Sequence, residues 1–197
     1  MLDRPVIPAV PEAPAPGEAA SSRPPGRAAA VGGIPALGVT DGALRLCLGE
    51  VEVAGGTLRL RHRGEGDVHL GWEIVIPPGG PGERPRFRHW GQRGLWRQPA
   101  RGPVAAVVIH PGPLPGLRAL SLALGRGTHD PRVLHAAPGG VWTDGASLAL
   151  IELLRRHRPQ RVELDAALGS SGAGARSAAL AREAIAMMAP NLPVVGP

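Results

Sequence analysis

No lysine occurs anywhere in the 197 residues, so all 22 basic side chains are arginine. Tyrosine is missing too, phenylalanine and cysteine occur once each as Phe87 and Cys47, and the sole asparagine is Asn191. The skew is that of a GC-rich coding sequence, and the absent types still exclude chemistry. Without lysine there is no Schiff base, no pyridoxal-phosphate anchor and no Walker-type phosphate loop. A lone cysteine excludes an internal disulfide framework and any cysteine-cluster zinc or iron–sulfur centre. No apolar run approaches the ~20 residues that a membrane helix needs. Prolines follow Met1–Arg4 where the apolar part of a signal peptide would stand. The expectation is a soluble chain with no membrane partner, cytoplasmic or exported by a route that needs no signal peptide.

Glycine and proline, 29 and 23 residues, are abundant and unevenly placed. Residues 1–38 hold proline at 5, 8, 11, 14 and 16, too often for a helix or an inner strand, and read as a disordered Pro/Ala-rich tail. Residues 39–76 alternate apolar and polar: Leu44, Leu46 and Leu48, then Val51 and Val53, Leu58 and Leu60, and Val68 to Ile76. With glycine turns between them, they predict a small antiparallel meander. Residues 77–103 carry six arginines against one acid, Glu83, which is nearly all of the chain's net +6. Their glycines and prolines predict a loop with no regular element.

From Val104 the rhythm becomes strand and helix. Strands are expected at 104–109, 132–135, 161–166 and 192–195, with helices at 146–157 and 173–189, which implies right-handed crossovers and a mainly parallel sheet with flanking helices. The fold class is therefore α/β over residues 104–197, preceded by the meander and the tail. Ligands of such sheets gather at the carboxyl ends of the strands, just after Ile109, His135, Ala166 and Val195.

At those ends stand the candidate catalytic residues. His135 closes a strand and suits a general acid or base. Ser170 or Ser171 would be the nucleophile, with Asp165 or Asp144 orienting the histidine in triad fashion. Gly169 and Gly172 let the backbone approach a ligand at the start of a helix. The basic segment offers a different chemistry: Arg84, Arg86, Arg88, Arg93 and Arg97, with Trp90 and Trp96 interleaved, suit an acidic protein surface or single-stranded nucleic acid. Cys47 is expected to be a packed, inert thiol within a strand. Asp67, His69 and Glu73 are expected to form a solvated strand face, and no metal or cofactor is expected.

The order of these features resembles the caspase-like domains of clan CD cysteine peptidases, above all the peptidase-like domains of bacterial toxins and effectors. The resembling residues are His135 at a strand end, Asp144-Gly145 after a glycine turn, the strand RVELDAALG, the helix ARSAALAREAIAMM and the strand LPVVGP. Ala166 stands where that family has its nucleophilic cysteine, three residues before Gly169, and Ala136 stands where it has the glycine after the histidine. The resemblance thus implies a non-catalytic interaction or scaffold module that contacts a protein partner through the tail and the arginine segment. Two alternatives accompany it: a hydrolase using His135 with Ser170 or Ser171, and a nucleic-acid binder working through residues 77–103.

Overall fold

The computed structural model describes residues 34–80 and 82–197. The expected disordered tail lies outside these residues except for its last five. There Pro35–Leu37 forms a 3-10 turn, and Leu37 is fully buried.

Residues 43–48, expected as a strand, are mostly helical: α1 spans Asp41–Leu46. Thr40 caps it, its hydroxyl accepting from the Ala43 N–H, and Asp41 lies in the first turn, where the helix dipole favours an acid. Burial of Ala43, Leu44 and Cys47 follows helical spacing, so the alternating leucines misled. Cys47 ends this helix rather than lying in a strand. It is fully buried, which together with the charge of Glu50 pushes its thiol up to about 12.

The meander follows as β1 (Val51–Ala54), β2 (Thr57–Arg63) and β3 (His69–Ile76). The basic segment then departs from the expected loop, forming β4 (Arg86–Gly91) and β5 (Leu95–Arg97). Its prolines bracket these strands at 85 and 99 rather than interrupting them. The chain continues through β6 (Ala106–Ile109), α2 (Pro113–Gly125), β7 (Val133–Pro138), α3 (Asp144–His157), β8 (Arg161–Leu164), α4 (Gly172–Met188) and β9 (Val194–Val195).

Among the described residues, the nine strands share one sheet in the order β4-β3-β2-β5-β7-β6-β8-β9, with β1 also on β2. β6 pairs parallel with β7 and β8, and β8 with β9, whereas every pairing from β4 to β7 is antiparallel. The fold is α/β with a mixed sheet, and parallel pairing is confined to its C-terminal part. β5 joins the two parts by bonding to β2 on one edge and β7 on the other.

Successive residues alternate between the faces. Leu95 and Ala136 join Val107, Ile109 and Leu164 against α3 and α4, while Trp96 and Ala137 join Leu58, Leu60 and Val75 against α1 and α2. A charged cluster ties the parts together. Buried Glu50 accepts two hydrogen bonds from Arg63, and Asp67 pairs with Arg63, Arg97 and Arg156 of α3.

Candidate functional site

β7 lies on one side of β6 and β8 on the other, so the chain reverses its direction across the sheet between β6 and β8. Side chains just past the carboxyl ends of such a strand pair converge on a crevice. His110 follows β6, Asp165 follows β8, and His135 lies within β7 opposite Val108. The three are joined in a row. His110 Nδ1 lies 2.6 Å from Asp165 Oδ2, and His110 Nε2 lies 2.8 Å from His135 Nδ1.

A carboxylate only accepts, so His110 Nδ1 carries the proton and donates to Asp165. With both rings neutral, His135 Nδ1–H then donates to His110 Nε2 and leaves the lone pair of His135 Nε2 free. That atom has no hydrogen-bond partner among the described residues. The rings are nearly parallel, with centroids 5.1 Å apart. His110 and His135 are buried, whereas Asp165 keeps 28 % of its side-chain surface in contact with solvent.

Burial, with the neighbouring His110 and His129 disfavouring a charge on the ring and Asp165 favouring it, lowers His135 to about 4. The hydrogen bond from His110 holds the Asp165 carboxyl below its usual range. Its second oxygen accepts from the Ala167 N–H and starts the 3-10 turn Ala166–Ser170.

The sequence pointed to His135 and Asp165, and the structure connects them through His110. His110 follows Ile109, at a position the carboxyl-end rule marks, but nothing local distinguishes it from a surface histidine. The serines are engaged elsewhere: Ser170 Oγ donates to the Ala167 carbonyl, and Ser171 Oγ caps α4 by accepting from Gly174 N–H. Asp144 is exposed in the first turn of α3. Ala166 stands exposed beside Asp165, and Ala136 is buried in β7. Gly169 packs near Pro197, and Gly172 opens α4 into free space.

The basic segment divides. Trp96 is fully buried in the core, so it is not a contact residue, and Arg97 is held by Asp67. Arg93 is half-buried. Arg84, Arg86, Arg88 and Trp90 remain exposed. Strand alternation places Arg86, Arg88 and Trp90 on the same sheet face as Arg59, Arg61 and Trp72, with the Arg61 guanidinium 4.8 Å from the Trp72 ring.

A second polar cluster occupies the opposite face of those strands. His62, Glu73 and His89 offer ligand atoms that all lie within 4.8 Å of one another. Glu73 is therefore not on a solvated face with Asp67 and His69: it is buried, while Asp67 lies in a 3-10 turn and His69 is exposed. Burial raises Glu73 to about 7 against the opposing charge of Arg93. Burial, with positive charge on His89 and Arg93, lowers His62 to about 4.

No family model, curated protein or solved structure matches this chain. Its own geometry carries the functional reading. Among the described residues, no helix is long and apolar enough to cross a membrane.

Proposed function

We propose that this chain is an acid–base catalyst of the hydrolase type, with His135 as the base and Asp165 and His110 as the residues that position and charge-balance it. The hydrogen-bonded row Asp165–His110–His135 at the strand reversal carries the proposal. Asp165 fixes the His110 tautomer, and His110 in turn fixes that of His135, aiming a free lone pair away from the pair. A proton leaving an attacking water or hydroxyl would pass to His135 Nε2. The developing imidazolium would be stabilised through His110 by the Asp165 carboxylate, as in triad chemistry. The same proton would then be returned to the leaving group. Because both serine hydroxyls are bound to the backbone, the nucleophile would come from water or substrate rather than from Ser170 or Ser171.

The test is turnover of chromogenic ester, phosphoester, peptide and glycoside substrates by the purified chain. His135→Ala should lower any activity by about 10²–10⁴-fold, the range for a positioned acid or base. Asp165→Asn should lower it less, and Ser170→Ala with Ser171→Ala should leave it unchanged. Activity that survives His135→Ala intact removes the proposal.

A second reading keeps the caspase-like arrangement as a non-catalytic interaction module. It is favoured by one observation: Arg59, Arg61, Trp72, Arg86, Arg88 and Trp90 share one face of the antiparallel part. Guanidinium groups interleaved with indole rings suit an acidic protein surface or the bases and phosphates of a single strand.

A further inference from the structure

Three adjacent strands bring His62, Glu73 and His89 together. Glu73 of β3 stands directly opposite His89 of β4, and His62 of β2 lies two residues from Leu60, the β2 partner of Glu73. All three side chains therefore leave the sheet on one face, at the short separations of cross-strand neighbours. His62 is fully buried, Glu73 nearly so, and His89 keeps 21 % of its side-chain surface open.

The cluster does not satisfy itself. His89 Nε2 and Glu73 Oε2 are 3.9 Å apart, beyond hydrogen-bond reach. Among the described residues, neither ring nitrogen of His62 makes a hydrogen bond of good geometry, the Gln92 backbone lying near without completing one, and His89 Nδ1 has no partner, although all three atoms are buried. An orphaned buried polar group of this kind destabilises the fold unless something outside the chain satisfies it. Gly139, in the turn after β7, passes so close to the His62 imidazole that a Cβ there would overlap the ring. That contact holds the ring in place and shuts water out on its side.

We infer that His62, Glu73 and His89 form a binding site for one divalent transition-metal ion of the zinc class. Two imidazoles and one carboxylate are a donor set that such ions favour over magnesium or calcium. Zinc bonds of about 2.0–2.2 Å place neighbouring ligand atoms roughly 3.4 Å apart in a tetrahedral shell. The separations found here, 3.9 Å for one pair and none above 4.8 Å, close onto that shell with small rotations of the Glu73 and His89 side chains about the fixed His62 ring. One bond to the ion would satisfy a nitrogen of His62 that makes no hydrogen bond of good geometry among the described residues. Three protein ligands leave a fourth position, and His89 places it toward solvent, where a water or an anionic group drawn by the neighbouring Arg93 would complete the shell.

The experiment uses the untagged full chain, stripped with a chelator and titrated with Zn²⁺ by calorimetry and with Co²⁺ by visible absorption. One ion per chain should bind with micromolar or tighter affinity, and cobalt should show the intense d–d bands of a four- or five-coordinate nitrogen–oxygen site. His89→Ala and Glu73→Gln should each weaken binding about 100-fold or more, beyond the ~10–100-fold typical of losing an outer partner. His157→Ala should leave it unchanged. His89 sits at the open rim, so its variant keeps the test sound where a change at buried His62 prevents folding. Absence of binding, or affinity unchanged in both ligand variants, overturns the inference. Binding that His110→Ala abolishes and His89→Ala spares also overturns it, by placing the ion at the His110–His135 pair.

Discussion

His135 shows how burial among other titratable groups sets the protonation state of a side chain. Lowered from its ordinary 6.5 to about 4, it is held neutral in the folded chain while the unfolded chain protonates it more readily. A histidine depressed in this way contributes stability that is complete above 6.5 and is lost as pH falls toward 4. Denaturation across that window should therefore show a loss of stability that is shallower in His135→Asn than in the wild type; equal slopes would mean that the ring is accessible to protons in the fold. His135, expected to close a strand, lies inside β7, which runs on to Pro138 because its last residues pair with β5. The sequence made Asp165 visible because it follows a strand. His110 occupies an equivalent position, and only its bond lengths to the other two separate it from an ordinary loop histidine.

At the scale of elements, the relay depends on how closely α2 lies on the sheet. Gly116 is the point of contact: a Cβ there would stand 2.9 Å from the Trp96 ring and 3.1 Å from the His110 ring. Gly116→Ala should therefore destabilise the chain by about 1–3 kcal/mol, the cost of overpacking a filled core, read as a lowered denaturant midpoint. A midpoint equal to that of the wild type would show that the helix can retreat from the rings. The parallel strands and α3 and α4 were legible because their periodicity, caps and flanking prolines agree. α1 was not, because three alternating leucines imitate a strand while the Thr40 cap and tertiary burial select a helix. β4 was missed for the converse reason: arginine alternating with aromatic residues is a strand pattern, but surrounding glycine and proline masked it.

For the whole molecule, the excess positive charge lies where the sequence placed it, and the sheet adds to it arginines from another segment. Arg59 and Arg61 of β2 join Arg86 and Arg88 of β4 on one face, with Trp72 and Trp90 among them. If that face holds a single strand, affinity should fall steeply with salt, and Trp90→Ala should cost about 1–3 kcal/mol of binding, the range for one stacked base. Unchanged binding after charge reversal at Arg86 and Arg88 would exclude the contact. The sequence by itself determined the α/β rhythm, the carboxyl-end position where Asp165 stands, and the concentration of charge in residues 77–103. These follow from local periodicity, turn chemistry and counting, which need no knowledge of distant partners. Tertiary structure alone decided that the sheet is mixed, that His110 bridges His135 to Asp165, and that His62, Glu73 and His89 face one another. Alternation says which side of a strand a residue takes, but only long-range register says what stands across from it.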